Sequence, residues 1–137
     1  MSECTLCSED TGTVLWRDDF CRVAWVDESA YPGFCRVILN THIREMTDLP
    51  PADRQRLMTV VFAVETAVRE VCQPDKINLA SLGNLVPHVH WHVIPRWEGD
   101  RCFPDAIWAA PRREGTTPRI EDIRLRLSTQ LTQALPG

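Results

Sequence analysis

The sequence predicts an α+β domain in which an antiparallel sheet of about five strands carries one long helix and a C-terminal helix. Short runs of β-branched and aromatic residues recur between turn residues, one apolar stripe at helical spacing fills the middle of the chain, and a second lies near its end. With 137 residues, 44% of them hydrophobic, the chain has enough apolar side chains for one core. We therefore expect a single domain over residues 1–137.

The first third of the chain predicts a small β-meander. Residues 14–16 and 21–26 are rich in β-branched and aromatic side chains, and the charged residues 17–19 between them predict a turn. Tyr31-Pro32-Gly33 then breaks the chain before a third strand, which we predict over residues 34–39 and ending at Asn40-Thr41.

A long helix is predicted next. Asp48-Leu49-Pro50-Pro51 is typical of a helix start, with Asp48 as the candidate cap and proline tolerated in the first turn. The stripe that follows predicts a helix packed on the sheet and ending before Pro74. Its members are Leu57, Val61, Val64, Val68 and Val71.

Residues 77–80 predict a further strand, and the turn residues 81–84 pair it with the next strand, residues 88–94. Beyond residue 96 we expect a C-terminal extension, residues 97–137, that begins as an ordered but irregular segment because prolines recur in it. Its Trp97 and Trp108 suit packing over a site or a partner subunit. The last stripe predicts the C-terminal helix ending near Pro136-Gly137; it comprises Ile120, Ile123, Leu127 and Leu131.

Composition and charge exclude several classes of function. The formal net charge of −4 argues against broad binding to nucleic acid, but it permits a small anionic ligand in a local pocket. The start, Met1-Ser2-Glu3, has no apolar signal core and the longest apolar stretch, near residues 58–64, is too short to cross a bilayer. We expect a cytoplasmic protein that engages no membrane, in which the six cysteines stay reduced and bind metal or are simply buried.

The residues most typical of a functional site are three histidines at alternate positions in His88-Val89-His90-Trp91-His92-Val93-Ile94, out of four in the chain. In a strand, alternate side chains share a face, so the three imidazoles would form a row while the residues between them face the core. Two alternatives stay open at this point: a solvated strand face, or a metal site, since neutral imidazole is a common ligand.

This segment matches the alternating histidine and apolar signature of the histidine triad family of nucleotide hydrolases and transferases, and the chain resembles its bacterial diadenosine tetraphosphate hydrolase-like members. The likeness extends over about residues 4–96. It includes Val23-Ala24-Trp25-Val26-Asp27, Pro32-Gly33, Leu39-Asn40-Thr41-His42-Ile43 and Gly83-Asn84. The resemblance implies a homodimer that acts on a nucleotide without an organic cofactor.

The resemblance also implies roles for the triad. His90 would attack the α-phosphate and form a covalent nucleotidyl-imidazole intermediate that water then hydrolyses. His92 would hold phosphate oxygens, and His88 would lie behind the row as a supporting or proton-transfer group. The substrate would be a dinucleoside polyphosphate, such as diadenosine tetraphosphate, or a nucleoside phosphoramidate.

Four further residues are candidates for nucleotide binding by the same resemblance. Asp27 would bind the ribose hydroxyls, Trp25 would form part of the base pocket, and Asn78 and Asn84 would lie near the phosphate. Asp27 and the two asparagines are also common turn residues, so that interpretation stays open.

The chain departs from the commonest family pattern at Gly83-Asn84-Leu85, where Gly-Gln-Ser or Gly-Gln-Thr is usual. The hydroxyl thought to assist the leaving group is therefore replaced by Leu85, which leaves the leaving-group preference open. Two other functions follow as alternatives: a nucleotide-binding sensor with little turnover, and a zinc-stabilised interaction module.

Cys4-Thr5-Leu6-Cys7 is a Cys-x-x-Cys knuckle, the spacing at which two thiolates bind one zinc ion. It is half a site, and His42 is the one histidine outside the triad. Triad proteins with such a knuckle complete the site with the histidines at the positions of His42 and His88, so the resemblance implies a structural zinc held by Cys4, Cys7, His42 and His88. The alternative is free, buried thiols.

Overall fold

The computed structural model describes residues 4–136, which form a five-stranded sheet with two longer helices on one face and a short N-terminal helix on the other. The strands are β1 (Thr13–Arg17), β2 (Cys21–Trp25), β3 (Cys35–Leu39), β4 (Lys76–Ala80) and β5 (His90–Arg96). Their order in the sheet is β1-β2-β3-β5-β4, and every neighbouring pair is antiparallel. The predicted α+β class is confirmed. The start at Met1-Ser2-Glu3 and the end at Gly137 lie outside the described residues.

Within residues 4–136, three helices accompany the sheet: α1 (Thr5–Ser8), α2 (Pro51–Cys72) and α3 (Ile123–Ala134). The prediction that Asp48 caps the long helix is wrong. Asp48 ends a separate 3₁₀ turn, where its side chain accepts a hydrogen bond from the backbone N–H of Glu45 at 3.3 Å. The chain stays extended through Leu49 and Pro50, because a residue before proline avoids the helical region, and α2 begins at Pro51.

The alternation of side chains along the strands gives the sheet two different faces. Cys35, Val37 and Leu39 of β3 lie in the main core with the buried face of α2 and with α3. The predicted stripe of α2 is buried as expected, and Cys21 and Cys72 lie in the same core. Arg36 and Ile38 project from the opposite face, which α2 does not cover.

The C-terminal extension begins as an irregular segment, as predicted, between the end of β5 and α3. A buried ion pair fixes it: the guanidinium of Arg96 contacts the Asp100 carboxylate at 2.8 and 3.0 Å. Trp97 is buried in the core, whereas Trp108 is 52% exposed. The predicted helical stripe begins three residues before the helix, since Ile120 precedes α3 and Ile123 is its first residue. Among residues 4–136, no helix is both long and apolar enough to span a membrane.

Candidate active site and metal site

The three triad histidines do not form one continuous row. His90 and His92 lie in β5, but His88 precedes the strand, in a turn where its backbone N–H donates to the carbonyl of Val86 at 2.8 Å. The predicted strand over residues 88–94 is therefore displaced to His90–Arg96. The expected alternation holds within the strand, because Trp91 and Val93 pack toward the main core.

His90 and His92 face a cleft of about 440 Å³ on the face of the sheet opposite to α2. Its walls come from the knuckle and the loop after it, from β3, from the loop before the triad and from the C-terminal extension. The lining residues are Thr5, Leu6, Thr11, Arg36, Leu82, Gly83, Asn84, Leu85, Val86, His90, His92 and Trp108. A cavity of this size accommodates a small organic molecule.

The backbone fixes the tautomer of His90. Its Nδ1 lies 2.6 Å from the carbonyl oxygen of His88, and because a carbonyl oxygen only accepts, Nδ1 carries the proton. In the neutral imidazole, Nε2 then holds the free lone pair. Burial lowers the pKa of His90 and outweighs the opposing effect of this hydrogen bond. His90 is therefore a neutral imidazole with its basic nitrogen available for reaction at neutral pH.

His92 is more strongly perturbed. Burial, followed by the proximity of His90 and Arg36, lowers the pKa of His92 to about 4. Its ring lies edge-on to that of His90, with 5.0 Å between the centroids, and 5.1 Å from the ring of Trp108. Its Nδ1 is buried and has no hydrogen-bond partner among the described residues. A neutral His92 can donate one N–H to an acceptor in the cleft.

Arg36 is a cleft residue that the sequence analysis missed. It lies on β3 directly opposite His92 of β5 and lines the cleft. The signal was present, because an arginine between Cys35 and Val37 marks a strand with one polar face. That this face is also the histidine face depends on the pairing of β3 with β5, which the sequence does not specify.

The four predicted metal ligands come together at the other end of the triad. The ligand atoms of Cys4, Cys7, His42 and His88 all lie within 4.8 Å of one another. Sγ of Cys7 is 3.3 Å from Nδ1 of His42 and 3.4 Å from Nδ1 of His88. In tetrahedral zinc coordination a sulfur and a nitrogen ligand are about 3.6 Å apart. These four residues have the donor types and spacing to bind a metal ion.

Two further sets of hydrogen bonds hold the residues of this cluster in position. Nε2 of His88 lies 2.7 Å from the carbonyl oxygen of Leu39, so it carries the proton and leaves the Nδ1 lone pair directed at the thiols. Such a hydrogen bond is the usual support for a metal-bound histidine. Buried Arg22 donates to the carbonyls of Leu6 and Glu9 at 2.6 and 3.0 Å and thereby fastens the knuckle to β2. Sequence reasoning did not identify Arg22.

The four predicted nucleotide-binding residues are dispersed. Asn84 lines the cleft. Trp25 packs against the main core, where the guanidinium of Arg124 lies over its ring, and Asp27 is exposed just beyond the end of β2. Asn78 accepts a hydrogen bond from Arg96 at 2.7 Å. The structure thus places one of the four, Asn84, in the wall of the cleft that holds His90 and His92.

Comparison with known proteins identifies the class to which this fold and site belong. The model of the HIT domain family matches residues 8–99, about two thirds of the chain. The chain therefore belongs to the HIT domain family, as its histidine pattern indicated.

Individual relatives are distant. The chain is 30% identical over 78 residues to a protein named AP-4-A phosphorylase from Mycobacterium tuberculosis, a match that covers 53% of this chain and 40% of that protein. It is 30% identical over 83 residues to the asymmetrical bis(5'-nucleosyl)-tetraphosphatase of Schizosaccharomyces pombe, covering 57% and 46%. The chain thus spans less than half the length of these curated relatives. A histidine triad protein from Marinobacter aquaeolei VT8 has a TM-score of 0.76 and 27% identity, with 92% and 93% of the two chains covered.

Proposed function

We propose that the protein is a nucleotide hydrolase or nucleotidyl transferase that cleaves at the α-phosphate through a covalent intermediate on His90. The substrate class is a dinucleoside polyphosphate resembling diadenosine tetraphosphate, or a nucleoside phosphoramidate. The names of two relatives, a diadenosine tetraphosphate phosphorylase and a bis(5'-nucleosyl)-tetraphosphatase, support the first of these.

One observation carries the proposal: the hydrogen bond from His90 Nδ1 to the carbonyl oxygen of His88. It leaves Nε2 unprotonated in a side chain that lines the cleft. Imidazole in this state is both a nucleophile and an acceptable leaving group near neutral pH.

The chemistry takes two steps. The Nε2 lone pair of His90 attacks the α-phosphorus, and the bond between phosphorus and the leaving group breaks with its electron pair on the leaving group. A water molecule then attacks the same phosphorus, the P–N bond breaks with its pair on Nε2, and the water's proton passes to the released phosphate or to solvent. His92, neutral at this pH, donates an N–H to a phosphate oxygen as charge develops.

The remaining contacts belong to the same proposal. Asn84 contributes its amide beside the phosphate from the wall of the cleft. Asp27 and Trp25 do not line this cleft, and their roles are proposed from the family resemblance alone: Asp27 for the ribose hydroxyls and Trp25 for the base. Asn78 acts through its hydrogen bond to Arg96. The ring of His88 points toward Cys4 and Cys7. We therefore propose that His88 supports the reaction through its backbone carbonyl, which accepts the hydrogen bond from His90.

The test compares wild type with His90→Ala on diadenosine tetraphosphate and adenosine 5'-phosphoramidate. Loss of the nucleophile is expected to lower kcat by about 1,000-fold or more. Wild type quenched in alkaline denaturant, in which the P–N bond is stable, should carry an adenylyl group on the peptide that contains His90. Arg69→Ala serves as a matched variant outside both sites, because Arg69 is exposed on α2. Turnover that survives in His90→Ala, at equal thermal stability, would exclude the proposed nucleophile.

A second candidate function is nucleotide sensing with little turnover. It is favoured by Leu85, which lines the cleft, is 93% exposed and offers no hydroxyl to a leaving group. Tight binding of adenine nucleotides without product formation over hours would favour this function. An interaction module, by contrast, would bind no nucleotide at all.

We further propose that Cys4, Cys7, His42 and His88 hold a structural zinc ion. Two thiolates and two imidazoles are a common zinc donor set, and all four positions are filled by protein, as in structural sites. The ion takes no part in the reaction. Elemental analysis of protein purified without added metal should give one zinc per chain, and Cys7→Ser should lose it. A wild-type content well below one would contradict the proposal.

We also propose that the chain acts as a homodimer in the cytoplasm, from the family resemblance. Sedimentation equilibrium checks the first part: a mass near twice 15.7 kDa is expected.

A further inference from the structure

Arg36 is a cation in the cleft without an anionic partner. No carboxylate of residues 4–136 lies within ion-pair distance of it. Its recorded hydrogen bond is a long one, from Nη1 to the carbonyl of Thr11 at 3.5 Å, and its guanidinium lies 5.5 Å from the centroid of the Phe34 ring. Most of its five N–H donors thus have no acceptor among the described residues.

The two other buried arginines show what such a side chain normally requires. Arg22 contacts the Asp10 carboxylate at 3.3 Å and two carbonyls, and Arg96 forms a two-point ion pair with Asp100. Burial of a charge is costly unless it is paired. Arg36 is half-buried without such compensation, and burial lowers its pKa. A ligand that supplies negative charge in the cleft would remove this cost.

Neighbouring polar groups point to the same kind of ligand. The hydroxyl of Thr11 is buried in the wall of the cleft and, like Nδ1 of His92, has no partner among the described residues. Thr11 also has a φ of 54°, a strained conformation for a β-branched residue. Arg36, the Thr11 hydroxyl and the neutral imidazole of His92 can all donate. A ligand with many acceptor oxygens, such as a phosphate chain, matches that set.

The cleft is poorly equipped for an amine leaving group. An amine must be protonated as it departs, whereas a phosphate departs as a stable anion. Apart from the triad histidines, the described lining residues include no acidic side chain, lysine, cysteine or tyrosine. The wall formed by Leu82, Leu85 and Val86 is apolar, with Leu85 at the position where the family usually has a hydroxyl.

We propose that Arg36 binds phosphate oxygens of the leaving group, so that the cleft selects nucleotides whose leaving group is a phosphate chain over phosphoramidates. The inference rests on the proposed function, since it takes the α-phosphate to be at His90. Arg36 would then determine specificity. His90 and His92 hold the α-phosphate, and Arg36 binds the phosphates of the leaving group, which lie beyond it.

Binding gives the first test, in a His90→Ala background so that no turnover occurs. The affinities of AMP and ATP are measured by calorimetry in magnesium-free buffer, with Arg36 intact and with Arg36→Met. Because Arg36→Met removes a charge-assisted contact, it should weaken the affinity for ATP by about 10- to 100-fold. AMP, which has no phosphate beyond the α position, should change less than about threefold. Arg36→Lys should restore part of the ATP affinity.

Turnover gives the second test. In an otherwise wild-type chain, Arg36→Met should lower the ratio of kcat/KM for diadenosine tetraphosphate to that for adenosine 5'-phosphoramidate by about tenfold or more. Arg69→Met is the matched control, because Arg69 is exposed on α2, behind the sheet, and its loss changes the net charge equally.

The outcomes separate the two proposals. Equal losses of affinity for AMP and ATP would place Arg36 at the α-phosphate and overturn its specificity role. No loss of affinity for either nucleotide would also overturn that role, but the proposed function would stand because nucleotides still bind. If neither nucleotide binds to wild type or to His90→Ala, the proposed function fails and this inference fails with it.

Discussion

Replacement of Asp100 by asparagine tests how the C-terminal extension is held beside the cleft. Both oxygens of the Asp100 carboxylate contact the guanidinium of Arg96, and they also accept hydrogen bonds from the backbone N–H groups of Trp97, Cys102 and Phe103. The side chains of Arg96 and Asp100 are 2% and 0% exposed. The carboxylate thus organises the segment that places Trp108 against His92.

Asparagine keeps the size of the side chain but removes its charge and replaces one acceptor oxygen with a donor. Arg96 would be left as a buried cation without a counterion, and its nearest neighbours would include an NH₂ group. Breaking a buried pair in this way costs about 3–5 kcal/mol of the free energy of unfolding. For a chain of this size, that corresponds to a fall in Tm of roughly 10–20 °C.

Urea denaturation followed by circular dichroism at pH 7 measures this effect. Asp105→Asn is the control, because its carboxylate pairs with Arg112 at the same 2.8 Å but on the surface, where both side chains are about half exposed. The urea midpoint of Asp105→Asn should be nearly that of wild type, since exposed ion pairs contribute little to the free energy of unfolding. Equal shifts for Asp100→Asn and Asp105→Asn would refute the reasoning that burial gives the Arg96 pair its importance.

Three other predictions follow. Chelation of zinc should lower Tm, zinc but not magnesium should restore it, and Cys4→Ser should abolish the response, because a closed structural site contributes folding free energy. His92 has a pKa of about 4 in the folded protein, below the value near 6.5 of the unfolded chain, so the unfolded chain takes up the proton first as the pH falls. Its contribution to the free energy of unfolding is therefore complete above pH 6.5 and declines by up to about 3 kcal/mol as the pH falls to 4. Urea titrations from pH 4 to 7 should therefore show a shallower acid loss in His92→Asn, and parallel curves would contradict the assignment. Gly33→Ala should lower the free energy of unfolding by about 1–3 kcal/mol, because Gly33 has a φ of 97° and an added Cβ would collide with Sγ of Cys72. Gly83 has a φ of 77°, but an added Cβ there would make only ordinary van der Waals contacts, so Gly83→Ala should cost less in the same assay.

Local sequence patterns were sufficient for most of the fold. The strands, the long helix and the last helix follow from side-chain periodicities of two and 3.6 residues and from the turn residues between them. The errors lie where a boundary depends on backbone interactions. Asp48 serves a 3₁₀ turn and not α2, and the strand at the triad begins at His90 because His88 is held in a turn by Val86.

The site was less predictable, since it is assembled from residues far apart in the chain. The four candidate metal ligands were identified from the Cys-x-x-Cys spacing together with the family resemblance, and the fold does bring them together. Arg36 was missed because its place beside His92 depends on the register of β3 with β5. Trp108 was singled out, but its place beside His92 depends on how the irregular segment after β5 folds back over the sheet, which no local pattern reveals.

His88 connects the candidate metal site to His90, the proposed nucleophile. Its Nε2–H is donated to Leu39, which leaves Nδ1 for the metal, and its carbonyl oxygen accepts the Nδ1 proton of His90. The position of the His88 backbone therefore sets which nitrogen of His90 is basic. In the proposed reaction the first histidine of the triad can thus leave the row and serve the candidate metal site, because that reaction requires its carbonyl oxygen and not its imidazole. The apparent irregularity at the start of β5 is then the feature that lets one short segment serve both sites.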